Sequence, residues 1–133
     1  MRPRISVCNL GVSDLNRSRG FYEGLGFVAR PESSERAVFF ELEWSWLSLF
    51  PRGRLATLCG MAPTGEGFPG FCFSHNVATA VEVDAILEAA VRLGGSIAVP
   101  AQDGSYGRIG YFSDPDGFRW EVAYTPKWAV LAE

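Results

Sequence analysis

The sequence has little of what marks a nucleic-acid-binding, membrane-spanning or disulfide-stabilised protein. Its 12 lysines and arginines stand against 15 aspartates and glutamates, for a net charge of −3, and no basic run could follow a phosphate backbone. Every apolar stretch is much shorter than the roughly 20 residues that a membrane span needs. Three cysteines are an odd number at no zinc-like spacing, which argues against a disulfide framework and a structural metal site. The amino terminus also lacks the apolar core of a signal peptide. We therefore expect a soluble, cytoplasmic protein with no nucleic-acid or membrane partner.

What the sequence does contain is enough apolar surface for one folded domain. Of its 133 residues, 47% are hydrophobic, 14% are aromatic and only 20% are charged. A chain of this length and composition buries about two thirds of the surface that it exposes when unfolded. This composition excludes disorder as the main description, and a second independent domain is not expected.

The first half of the chain predicts a strand, a helix and then further strands. Residues 4–10 have the composition of a strand, and Asp14 supplies an N-cap oxygen to the helix that follows, which ends at Gly24 or Gly26. Residues 37–43 and 46–51 are rich in β-forming side chains and predict two adjacent antiparallel strands.

The second half repeats this order. A strand at residues 70–76 leads to a helix in which Thr79 and Glu82 have the spacing of a capping box. A strand at residues 96–100 follows, and residues 108–124 predict a hairpin that turns at Asp-Pro-Asp-Gly. The repeated order indicates two copies of a βαβββ unit.

Glycine and proline divide the single domain into two modules. They are so frequent at about residues 53–69 that we predict a linker there, without a packed element. The first module then covers about residues 4–52, and the second covers about residues 70–124.

Two motifs near opposite ends of the chain resemble those of one family. The first is LGVSDLNRSR at residues 10–19, and the second is DPDGFRWE at residues 114–121. They resemble the opening and the last hairpin of the vicinal oxygen chelate superfamily, which includes glyoxalases, bleomycin-resistance proteins and extradiol dioxygenases. The resemblance implies an α+β fold in which two βαβββ modules form a cup-shaped mixed β-sheet with helices outside.

The resemblance also implies where metal-dependent members hold their ion. The matching positions here are Val7, Cys72 and Glu121, and Val7 has no lone pair to donate. Because a protein site needs about three strong donors to replace the water that an ion sheds, we expect no metal and no other cofactor. His75, the only histidine, faces away from Cys72 by strand parity; a structural hydrogen bond near the helix start and a place at the cavity rim both stay open.

Glu121 and Tyr111 are the candidate catalytic residues. Alternate residues of the last strand, from Trp120 to Tyr124, are large and apolar, so Glu121 faces the opposite side. A buried carboxylate without a metal pairs with a donor or takes up a proton. Proton transfer and a purely structural hydrogen bond, to Tyr111 or to Asn9, are both open.

The same parity predicts a ligand-binding surface that mixes aromatic rings with a few polar groups, as small-molecule pockets do. Its members are Asn9, Phe39, Glu41, Trp46, Ser48, Phe50, Cys72, Ser74, Tyr111 and Glu121. The alternative is that the aromatic rings simply fill the core.

These observations favour a metal-free protein that binds an aromatic or amphipathic small molecule. The alternatives are a lyase, isomerase or dioxygenase that uses Glu121 with a divalent metal or as an acid or base, and a module whose outer surface matters more than its cavity. Exposed strand edges, together with the resemblance, also predict a homodimer.

Overall fold

Helices and strands alternate along the chain, and the computed structural model describes them for residues 1–69 and 71–133. Contacts divide the chain into two compact units, Met1–Gly67 and Phe68–Glu133, and the division falls inside the predicted linker. The first unit contains β1 (Val7–Val12), α1 (Leu15–Gly24), β2 (Val38–Glu41), β3 (Trp46–Pro51) and α2 (Arg52–Leu58). The second contains β4 (Phe73–Asn76), α3 (Ala80–Arg92), β5 (Ser96–Gly104), β6 (Gly107–Ser113), β7 (Arg119–Tyr124) and two short 3-10 turns within Pro126–Ala132. Gly70, the predicted first residue of the second module, lies outside the described residues.

The sheet of the first unit has the order β1-β3-β2, with β1 parallel and β2 antiparallel to β3. One face packs on α1, where Phe21 and Tyr22 are buried, and Tyr22 lies 6.1 Å from Phe40 between ring centroids. Asp14 caps α1 as predicted, because its side chain accepts a hydrogen bond from the Arg17 N–H at 3.0 Å. An isolated bridge joins Ala29 to Phe40 before β2, where a βαβββ unit would have another strand.

Helix α2 corrects the prediction that the linker has no packed element. Apart from Gly53, the glycines and prolines of this segment come after residue 59, whereas residues 54–58 are mostly good helix formers. The helix packs closely on β1 at Gly11, where an added Cβ would lie 3.2 Å from Arg52 Cα and 3.4 Å from a Leu55 methyl group. Because glycine and proline are frequent in the segment as a whole, the short helix at its start was not predicted.

The sheet of the second unit has the order β4-β7-β6-β5, with β4 parallel to β7 and the other pairs antiparallel. The predicted βαβββ order is confirmed here, and the chain has the predicted α+β fold with two mixed sheets. The capping box of Thr79 and Glu82 opens α3. Strand β5 runs to Gly104, past the predicted end at Pro100, because Pro100 lies in an irregularity of an edge strand where its missing N–H breaks no ladder.

Helix α3 covers one face of the second sheet and does not cover the other. Its buried residues are Val83, Leu87 and Ala90, and the sheet contributes Phe112, Trp120 and Val122 to the same core. The turn between β6 and β7 is held by Asp114, whose Oδ1 accepts hydrogen bonds from the N–H groups of Asp116 and Phe118, each at 2.9 Å. None of the helices in the described residues has the length and hydrophobicity of a membrane span.

Candidate functional site

Three polar residues form a row across three strands of the second unit. Ser74 in β4 and Tyr111 in β6 both lie directly opposite Glu121 in β7. Residues directly opposite each other in a sheet have their side chains on the same face. These three side chains therefore share one face, which is the face that α3 does not cover. The pattern of the sequence predicted this shared face.

The Glu121 carboxylate accepts a hydrogen bond at each oxygen. The Ser74 hydroxyl donates to Oε1 at 2.8 Å, and the Tyr111 hydroxyl donates to Oε2 in a very short contact. This hydrogen bond, followed by burial and by the carboxylate charge, raises the pKa of Tyr111 to about 12. Tyr111 therefore keeps its proton at neutral pH. Of the two structural partners predicted for Glu121, the structure has Tyr111; Ser74 takes the other oxygen.

A cavity of about 390 Å³ lies beside this row. Its walls are Phe68, Cys72, Ala98, Val99, Tyr111 and Arg119. Two of them, Cys72 and Tyr111, are predicted ligand contacts. Sequence reasoning missed Arg119, although it stands two residues before Glu121 in the same strand and parity alone would place it on the same face.

The predicted placement of His75 on the opposite face is confirmed. His75 pairs in register with Val122, whose side chain is fully buried on the α3 side, whereas Ser74 pairs with Glu121. His75 itself is exposed at the edge strand β4. It does not join the polar row.

The predicted site residues of the first unit also share one face of their sheet. Asn9, Ser48 and Phe39 form one row, and Trp46 and Glu41 lie together in the next. The Phe39 ring lies 6.4 Å from the Trp46 ring and 6.3 Å from the ring of Phe50, the remaining predicted contact, between centroids. Of the polar groups on this face, Glu41 already has a partner and Ser48 is buried.

Glu41 is held in an ion pair that the sequence did not reveal. Arg30 pairs with Glu41 in a very short contact and with Glu32 at 2.9 Å, and its guanidinium stacks over the Trp46 ring at 4.7 Å from the centroid. The stack covers one face of the tryptophan. A ligand at this place would therefore meet a ring and a carboxylate that already have a partner.

Ser48 is fully buried, and its hydroxyl has no hydrogen-bond partner among residues 1–69 and 71–133. The hydroxyl is thus on the predicted face but closed off from solvent, while Asn9 beside it is exposed. Parity assigns a face to a side chain but says nothing about what covers it.

The donors present do not fit a divalent metal centre. Val7 is a hydrocarbon, Cys72 carries a thiol on the cavity wall, and both oxygens of Glu121 already accept hydrogen bonds. In the part of the chain that the structure describes, no three histidine, cysteine, aspartate or glutamate side chains come together as a metal site. A thiolate and one carboxylate also favour different classes of ion.

Comparison with solved structures gives proteins of similar fold. A glyoxalase-related enzyme from Fulvimarina pelagi is 31% identical, with a TM-score of 0.83 over 93% of this chain and 89% of that chain. A glyoxalase/bleomycin resistance protein/dioxygenase family enzyme from Burkholderia phytofirmans is 17% identical, with a TM-score of 0.77 over 90% and 97% of the two chains. Lactoylglutathione lyase from Agrobacterium tumefaciens is 21% identical, with a TM-score of 0.69 over 96% and 98%. A search of the curated proteins gave no match.

The sequence profile of one superfamily matches residues 4–122, which is most of the chain and includes both motifs on which the resemblance rests. The chain therefore belongs to the glyoxalase/bleomycin resistance protein/dioxygenase superfamily.

Proposed function

We propose that this protein binds a small aromatic or amphipathic molecule in the cavity of the second unit, without a metal ion. The observation that carries the proposal is the hydrogen-bonded row of Ser74, Glu121 and Tyr111 beside a cavity of about 390 Å³. An open, mainly apolar depression with a few fixed polar groups has the usual composition of a ligand pocket, and this volume suits a molecule of one or two rings.

The walls divide into an apolar part and a polar part. Phe68, Ala98 and Val99 offer hydrocarbon surface that removes an apolar ligand from water, at about 25 cal/mol per Å² buried. Tyr111 and Arg119 offer polar atoms that orient it. Binding of an amphipathic molecule uses both parts at once.

The donor set supports binding without a metal. Each oxygen of Glu121 already accepts a hydrogen bond from a hydroxyl group, so an ion would share each oxygen with that hydroxyl group. The second unit has one other donor at a metal-ligand position of the family pattern, and this donor is Cys72. One carboxylate and one thiol leave most of an ion's shell to water.

A second candidate function is acid–base catalysis, as in a lyase, isomerase or dioxygenase of the superfamily. The short contact between the Tyr111 hydroxyl and Glu121 favours it, because a proton is already positioned between Glu121 and a hydroxyl group of the cavity wall. A pKa of about 12 for Tyr111 weighs against it, since the best catalytic acids have pKa values near the working pH. Binding therefore stands first.

Thermal shift and calorimetry with a library of one- and two-ring compounds test the proposal. A ligand should raise the melting temperature by mass action and bind saturably. Val99→Trp should abolish binding by filling the cavity, whereas Val81→Trp, on the exposed side of α3, should leave it intact. A library without any binder, or binding that survives Val99→Trp, contradicts the assignment of this cavity. Product analysis by chromatography with the bound compound then separates binding from catalysis.

We also propose that the protein is a cytoplasmic homodimer. Cys8, Cys59 and Cys72 are all free, as is usual in a reducing compartment. The edge of β5 carries Pro100 and two register shifts, which protect it from pairing, so association through a strand edge would use β1, β2 or β4. Sedimentation should give twice the chain mass of 14.6 kDa, and a monomer at micromolar concentration contradicts this.

A further inference from the structure

Arg119 is the one cation on the wall of the cavity, and it is held in place from one side. Its Nη1 donates to the Gly117 carbonyl at 3.1 Å and, in a short contact, to the Ser113 hydroxyl. No carboxylate pairs with Arg119 among the residues that the structure describes, in contrast to Arg30. Its Nε and Nη2 therefore form a free edge with two parallel N–H groups, the geometry that binds a carboxylate or phosphate through two hydrogen bonds.

The row of Ser74, Glu121 and Tyr111 favours a ligand group that donates a hydrogen bond, whereas Arg119 favours an anion. Both hydroxyl hydrogens are already donated to Glu121, so only lone pairs of the two hydroxyls and of the carboxylate remain for a ligand. A ligand group that meets this row must donate a hydrogen bond. An anionic group would be repelled there by the carboxylate charge.

We propose that the cavity selects a small amphipathic anion that also carries a hydrogen-bond donor, a hydroxyl or an ammonium group, on the far side of an apolar body. The anionic group binds the free edge of Arg119, and the donor binds the row at Glu121. This inference rests on the proposed binding function and adds the chemical class of the ligand.

The spacing of the two polar ends follows from the strand. Arg119 and Glu121 are two residues apart in β7, so their Cα atoms are about 7 Å apart. A benzene ring with para substituents spans a comparable distance and would lie against Phe68 and Val99. The charges also fix the direction of binding, because exchanging the two ends would place an anion against Glu121 and a donor against Arg119.

Three benzene derivatives of similar size test the inference by calorimetry. One, 4-(aminomethyl)benzoate, has both ends; 4-methylbenzoate lacks the donor, and benzylamine lacks the anion. Each charge-assisted contact is expected to contribute about tenfold in affinity, so the first compound should bind at least about tenfold more tightly than either of the others.

Substitutions then assign each end to its residue. Arg119→Met should weaken both benzoates by about tenfold and leave benzylamine unchanged, whereas Glu121→Gln should weaken the two amines and spare 4-methylbenzoate. Arg92→Met, an exposed arginine at the end of α3, is the matched control and should change nothing. Circular dichroism and the melting temperature verify that each variant is folded.

The results separate the inference from the function on which it rests. If neutral ring compounds bind and Val99→Trp abolishes their binding, but Arg119→Met affects no benzoate, the ligand class is wrong and the binding function stands. If neither the three derivatives nor any compound of the wider library binds, both are overturned. The double selectivity of Arg119→Met and Glu121→Gln is the result that supports the inference.

Discussion

The hydrogen bond from Tyr111 to Glu121 makes a specific prediction for the pH dependence of stability. Its removal by Tyr111→Phe takes away a hydroxyl group and leaves the ring in place. The unfolded tyrosine ionises near its ordinary pKa of 10, whereas the folded residue holds its proton up to about pH 12. The stabilisation that it contributes is therefore complete below pH 10 and is lost as the pH rises to 12.

The size of the effect follows from the pKa difference. A raise of about two units corresponds to about 2.7 kcal/mol, and solvent screening at this half-exposed site reduces the expected value to about 1 kcal/mol. The free energy of unfolding of the natural chain should fall by that amount more than that of Tyr111→Phe between pH 10 and 12. The other three tyrosines titrate in both proteins and cancel in the comparison.

Urea unfolding monitored by circular dichroism at several pH values measures this difference. Tyr106→Phe is the matched control, because Tyr106 is an exposed tyrosine of the same unit and its removal keeps the bond between Tyr111 and Glu121. Glu121→Gln should abolish the extra slope as Tyr111→Phe does. Equal slopes for the natural chain and Tyr111→Phe would refute the reasoning that the carboxylate holds the tyrosine proton.

Three further predictions concern metal binding, the buried hydroxyl and the β6–β7 turn. Addition of Mn²⁺, Ni²⁺ or Zn²⁺ should leave the melting temperature unchanged, and about one metal ion per chain in elemental analysis after dialysis contradicts this. Ser48→Ala should stabilise the protein by about 1 kcal/mol in urea unfolding, because it removes an unpaired buried hydroxyl group. Leu49→Ala, the neighbouring control, should cost about 2–5 kcal/mol. A Ser48→Ala variant that is less stable than the natural chain would contradict this prediction. Asp114→Ala should cost about 1–2 kcal/mol in the same assay and Asp114→Asn much less, since only the latter keeps an acceptor for the two N–H groups; equal losses speak against this role.

Strand parity is the part of the site that the sequence could predict. Because side chains alternate strictly along a strand, the apolar residues around Glu121 were enough to predict its face, and Ser74 and Tyr111 lie on that face as expected. Parity could not predict which of the polar groups pair with each other. The bond to Ser74 depends on the register of two strands that are distant in the sequence.

Other parts of the site depend on contacts that leave no local pattern. Arg30 reaches Trp46 and Glu41 from a segment without regular structure, and no spacing rule connects these positions. Arg119 does obey parity, but no motif in the sequence marks this arginine as part of a cavity wall. Helix α2 was missed for a different reason, since a short helix beside a glycine-rich segment has too few residues for a periodic signal.

The parallel pairing of β4 with β7 has a consequence for when the polar row forms during folding. Ser74 and Glu121 are 47 residues apart, and α3, β5 and β6 lie between them in the chain. Closing so long a loop is entropically costly, so this pairing is expected late in folding, after the local hairpins of β5, β6 and β7. A chain that emerges from the ribosome is therefore without a complete polar row until β7 has been synthesised and has docked beside β4. The proposed ligand binding would then depend on completion of the second unit, and a nick or truncation within this unit would remove the polar row even where most of the helix and sheet persists.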